Sequence, residues 1–129
     1  MYPPPPPAPA PHPQPVPDGI ATLVNLEELW LNDNKLTGVC DAVYSLTKLK
    51  FFSVQDNQIS KLGEGLGNLT ELELLGVSNN VIDALPESIC KLEKLEKIGF
   101  ASNRLKKLPE SFGQLKSLSM VWGSGNFIE

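Results

Sequence analysis

Few residues of this chain have the makings of chemistry: one histidine, two cysteines, a glycine cluster and a spaced set of acids and amides. His12 lies inside a run of prolines, so a Ser-His or Cys-His nucleophile pair would have to be assembled from that segment. The glycine cluster GEGLGN, residues 63 to 68, lacks the following Lys and Ser or Thr that a phosphate-cradling loop needs. Asp33, Asp56 and Asn79 recur every 23 residues and could in principle line up oxygen ligands for a hard cation. With 15 acidic against 11 basic residues, the net charge of −4 disfavours a nucleic-acid surface, which needs clustered Lys and Arg. No catalytic, metal-binding or cofactor-binding residues are assigned, and the chain is expected not to be an enzyme.

The spacing of that acidic column points to what must position it. Asparagine recurs at Asn34, Asn57, Asn80, Asn103 and Asn126, each 23 residues after the last. Around each one stands the same apolar register: LEELWLNDNKL, LKFFSVQDNQI, LELLGVSNNVI, LEKIGFASNRL and LSMVWGSGNFI. A fixed period of this length defines a stacked repeat, because one such unit cannot bury its apolar side alone. Alternation within each block predicts a short strand, with Leu29 and Leu31 facing inward and Glu28, Trp30 and Asn32 facing out. Five such strands should stack in parallel. The asparagine amides then fall where each strand turns away, placed to bond backbone groups that the turn leaves unpaired. Pro86, Pro109 and several glycines interrupt the remaining part of each repeat, which predicts short 3₁₀ or irregular turns on the outer side.

The blocks follow LxxLxLxxNxL, and the intervening LPESICKLEKL and LPESFGQLKSL follow LPxxIxxLxxL. The chain therefore resembles the leucine-rich repeat family, in its 23-residue intracellular class that includes plant Ras-group-related proteins and Ras-pathway scaffolds. The resemblance covers about residues 16 to 128. It implies an α/β solenoid, a right-handed curved stack of parallel strands, that binds protein partners on its concave side, with a setting in intracellular signalling or scaffolding. The LPxxIxxL motif itself packs the convex side and carries no specificity.

Domain organisation is read as a proline-rich tail, residues 1–15, and a repeat domain, residues 16–129, made of a half repeat plus five repeats. VPDGIATLVNL, from Val16, is a degenerate copy of LPESICKLEKL one period upstream. The first 17 residues hold ten of the twelve prolines and no charged side chain, a composition that favours polyproline II. MYPPPPPAPAPHPQP is either a ligand for aromatic grooves of the SH3, WW or profilin type, or a stiff tail or brace across the first coil. The start has neither the basic nor the apolar region of a secretory signal, and no apolar run reaches membrane-spanning length. Cys40 and Cys90 occupy different columns two repeats apart, so free thiols and a cytoplasmic, reducing location are expected.

Outward columns of the strands are Glu28, Phe51, Leu74, Lys97 and Met120 in one, and Trp30, Ser53, Gly76, Gly99 and Trp122 in the next, and all of these but Gly99 are the candidate partner-binding residues. Two tryptophans thus flank three small residues, with an apolar stripe beside them. Exposed contiguous apolar surface marks contact sites, and Trp is enriched among binding hot spots. An alternative is that the tryptophans cover the ends of the stack. Another is self-assembly, with the concave face and an uncapped last strand burying each other in a homo-oligomer.

Overall fold

The computed structural model describes residues 18–128; the proline tail, Val16 and Glu129 lie outside the described residues. Five three-residue strands, β1 (Glu28–Trp30), β2 (Phe51–Ser53), β3 (Leu74–Gly76), β4 (Lys97–Gly99) and β5 (Met120–Trp122), form one parallel sheet in sequence order. Register follows the period: Leu29 pairs Phe52, Phe52 pairs Leu75, Leu75 pairs Ile98 and Ile98 pairs Val121. Opposite the sheet run five 3₁₀ turns, η1 (Asp18–Thr22), η2 (Asp41–Ser45), η3 (Glu64–Asn68), η4 (Glu87–Lys91) and η5 (Glu110–Gln114). Five residues cannot sustain an α-helix, and the extended Pro86 and Pro109 that precede η4 and η5 set where those turns begin. The first of these turns stands one period before η2.

Between sheet and turns lies a core of stacked columns. Leu46, Leu69 and Leu92 are fully buried in one, Leu49, Leu72 and Leu95 in the next, and Phe52, Leu75 and Ile98 behind the strands. Each such side chain contributes about 1.5–3 kcal/mol by leaving water. The columns do not stay closed to the ends as continuous repetition predicts. Leu29 and Leu31 are only partly covered, while Val121, Phe127 and Ile128 are exposed, because each side chain of a solenoid is covered mainly by the neighbouring coil.

Backbone closure depends on the asparagines. Asn57 Nδ2 donates to the Leu31 carbonyl of the preceding coil at 2.9 Å and to the Val54 carbonyl of its own at 2.8 Å, while its Oδ1 accepts from the Asn34 and Leu36 amides at 2.9 Å each. Asn80 repeats the pattern on Val54, Val77 and the Ile59 amide, Asn103 on Val77, Phe100 and the Ile82 amide, and Asn126 on Phe100, Gly123 and the Leu105 amide. Asn34, in the first coil, is exposed, and its side chain donates only to the Asn32 carbonyl.

Two further features come from side-chain volume. Tyr44 is buried between coils and accepts a hydrogen bond from the Gly63 amide at 3.1 Å. A Cβ on Gly65 would come within 2.7 Å of its ring, and one on Gly67 within 2.7 Å of Ser88, so the glycine cluster seats neighbouring coils. At the other end Phe100 lies where a Cβ on Gly123 would come within 2.6 Å, and it meets Phe112 edge-on at 6.2 Å.

Candidate binding face

The alternation of β1–β5 sends one set of side chains into the core and the other onto the strand face. Trp30, Met120 and Trp122 are 52%, 45% and 48% exposed, whereas Phe51 and Leu74 are partly buried. Glu28 and Lys97 are exposed and carry the charges of the first column. The Trp30 indole N–H donates to Glu28 Oε1 at 3.2 Å, which orients the ring along its own strand.

The second column is a trough. Ser53, Gly76 and Gly99 are all buried, so they form its floor beneath neighbouring side chains and present little surface themselves. Ser53, expected as a contact residue, is fully covered, with its hydroxyl donated to Asn32 Oδ1 at 2.8 Å; its role in a site is limited to holding the floor. Above Gly76 lies the amide end of Gln55, whose Nε2 would be 2.8 Å from a Cβ there. Trp122 leans over the floor, its Cε3 3.7 Å from where a Gly99 Cβ would stand. A Cβ at Gly76 would collide with Gln55 and the Ser53 hydroxyl, whereas one at Gly99 would be tight only against Ser78 Oγ, at 3.2 Å. Gln55 belongs to a column not singled out as a site, and its signal was the missing side chain at Gly76.

Beside the strands runs a charged margin. Lys50 pairs with Glu27 at 3.2 Å, Lys94 pairs with Glu71, and Lys48 donates to Asn25 Oδ1 at 2.8 Å. The Glu27 carboxylate raises the Lys50 pKa, and the hydrogen bond and charge of Lys94 lower that of Glu71. Each pair joins equivalent positions of adjacent coils.

The acidic column considered for a cation performs a backbone task. Asp33, Asp56, Asn79 and Ser102 have φ of 59°, 59°, 57° and 56°, and Gly125 in the same column has 74°. Residues with left-handed backbone are commonly Gly, Asn or Asp, which accounts for the column's composition. Asn79 Nδ2 donates to Asp56 Oδ1 at 2.8 Å, so the two side chains bond each other. Among the described residues, no group of three or more His, Cys, Asp or Glu is arranged to hold a metal ion. Cys40 and Cys90 are free and partly exposed, and no described helix is long and apolar enough to cross a membrane.

Residues 35–126 match the model of the leucine-rich repeat region, and the chain belongs to that family. It is similar in structure to a leucine-rich repeat protein of Leptospira interrogans, at 27% identity and a TM-score of 0.76 over 87% of this chain. Two internalins of Listeria monocytogenes also resemble it: inlF, at 25% identity and a TM-score of 0.77 over 89% of this chain, and inlC2, at 24% and 0.78 over 87%. The chain spans 34%, 33% and 48% of the lengths of these three proteins. No curated protein sequence matches it closely enough for comparison.

Proposed function

We propose that this chain is a non-catalytic module that binds a protein partner on its strand face, with Trp30, Phe51, Leu74, Met120 and Trp122 as the contact residues. The observation that carries this reading is the exposure of two tryptophans and a methionine on the strand face, beside the partly buried Phe51 and Leu74. Such surface costs solvation free energy in the free protein and regains it on contact. Lys97 and Glu28 bound the apolar strip and suit a polar rim. Intracellular signalling or scaffolding is the setting supported by the resemblance of LPESICKLEKL to its class, and the two free thiols suit a reducing compartment. Recruitment of a polyproline-binding domain by residues 1–15 is compatible with that setting.

The test is affinity enrichment with the parent chain and with a Trp30→Ala, Trp122→Ala variant at matched folded concentration. Proteins held by the parent and by a convex-side control, Lys91→Ala, but lost by the double variant are the expected outcome. An identical set retained by all three chains would refute the strand face as the site.

A second reading has its own observation. Val121, Phe127 and Ile128 expose apolar surface on the last coil, next to Trp122, which favours a homo-oligomer through that edge. Light scattering across concentration separates the two. Growth in mass that Phe127→Asp reverses supports assembly, and a constant monomer mass removes it.

A further inference from the structure

We propose that the molecule stacks head to tail, with the last coil of one copy seating the first coil of a second, so that β5 and β1 of the second copy continue the parallel sheet. This rests on the homo-oligomer reading of the last coil and adds what that coil docks on. Each of β1 and β5 has a hydrogen-bonded neighbour on one edge only, and the two open edges face opposite ways along the stack. The apolar columns open at the same two places. Leu46, Leu69 and Leu92 are fully buried, yet Leu23, one period earlier in their column, is 51% exposed. Phe52, Leu75 and Ile98 are fully buried too, whereas Leu29 begins their column partly covered and Val121 ends it at 48% exposure. Leu23 and Leu29 lack a coil before them, and Val121 lacks one after it, so each end offers what the other is missing.

Backbone groups match in the same register. The amides of Leu31, Val54, Val77 and Phe100 donate to the carbonyls of Ser53, Gly76, Gly99 and Trp122, each in the following coil. Gly123 continues that column, and its amide has no acceptor among the described residues; a coil added one period on places the Trp30 carbonyl of the second copy there. The asparagine ladder agrees. Asn57 Nδ2 reaches a carbonyl 26 residues back and its Oδ1 accepts from an amide 21 residues back. From Asn34 of a docked copy the same reach falls on the Gly123 carbonyl and the Ile128 amide, and that amide also has no acceptor among the described residues. Asn34 is the ladder member whose side chain bridges no coil, so docking gives it the bonds that its counterparts already make. Charge has the matching sign, since residues 18–40 carry four acids against Lys35, and residues 106–128 carry Lys106, Lys107 and Lys116 against Glu110. A contact between two different surfaces leaves an end open on each side, so association continues past the dimer.

Sedimentation velocity of the full chain over a wide range of concentration tests the arrangement. The parent should pass from monomer through dimer to larger species. Leu23→Lys blocks one end and Val121→Asp the other, so each variant alone should stay monomeric. Their equimolar mixture holds one intact pair of ends and should give a dimer and nothing larger, which also shows that the untouched end of each variant is folded. Asn34→Ala should weaken association roughly tenfold while leaving the melting curve of the dilute monomer close to that of the parent. Association that Val121→Asp abolishes but Leu23→Lys leaves as in the parent overturns the head-to-tail contact and keeps a homo-oligomer through the last coil. A parent mass that stops at the dimer has the same meaning. A mixture of the two variants that stays monomeric overturns the proposal, and a parent that is monomeric at every concentration overturns both it and the homo-oligomer reading.

Discussion

Asn80 illustrates how much of the solenoid rests on single side chains. Its amide serves two coils at once, with bonds of 3.0 Å to the Val54 carbonyl, the Val77 carbonyl and the Ile59 amide, all in the core. Asn80→Ala leaves those backbone groups without partners and should destabilise by about 1–3 kcal/mol in chemical denaturation. Asn34 is the internal control. It is exposed and its side chain makes only one local donation, so Asn34→Ala should cost about 0.5 kcal/mol or less. Equal losses at the two positions would contradict a ladder whose strength comes from bridging coils. Tyr44 adds a pH dependence. Burial raises its pKa above the ordinary 10.0, against a smaller lowering by the Gly63 amide. The unfolded chain therefore loses this proton at a lower pH than the folded one. Stability from Tyr44 is complete below pH 10 and falls as pH rises through the raised value. Tyr44→Phe should be less stable at neutral pH by about 1 kcal/mol and should show a flatter decline above pH 10, measured as denaturation midpoints across pH.

At the scale of elements, the strand-to-turn corner decides what each repeat tolerates. Ser102 holds φ of 56° in the column where Gly125 holds 74°, a region that costs an L-residue roughly 1–2 kcal/mol. Ser102→Gly should therefore be neutral or stabilising, and Ser102→Val should be less stable than Ser102→Gly by at least about 1 kcal/mol, read from melting curves. The elements themselves were legible in the spacing. Strands fall where LxL alternates, and the turns on the other side begin after Pro86 and Pro109 or at the matching Cys40 and Gly63. What the residue types did not reveal was the reason for the Asp33, Asp56 and Asn79 column. Carboxylates and amides suit a cation as well as a left-handed corner, and only backbone angles separate the two. Ser53 was misplaced for a similar reason. Alternation sets which face a side chain is on, but whether it is accessible there depends on the neighbouring Asn32 and Gln55.

For the molecule as a whole, stability is a sum of coils and of the interfaces between them, so a defect at one interface acts as a cut in a one-dimensional stack. The second and third coils meet where Tyr44 lies against Gly63 and Gly65, a junction built from one large residue and two absent side chains. Among the described residues its nearest counterpart is Phe100 against the single Gly123. Gly65→Leu forces a side chain into the Tyr44 ring, and overpacking of this kind costs about 1–3 kcal/mol. The cost falls on one interface, which separates the coil carrying Trp30 from the coils that carry Trp122. Unfolding followed by Trp30 fluorescence, with Trp122→Phe to isolate it, should then precede unfolding followed by far-ultraviolet circular dichroism. In the parent the two transitions should coincide, since each of its interfaces is intact and the stack melts as a unit. Relief by the compensating Tyr44→Ala in the Gly65→Leu background, with the transitions drawn back together, would tie the effect to that contact. Coincident transitions in Gly65→Leu itself would show that the five coils are coupled more tightly than their nearest-neighbour contacts account for.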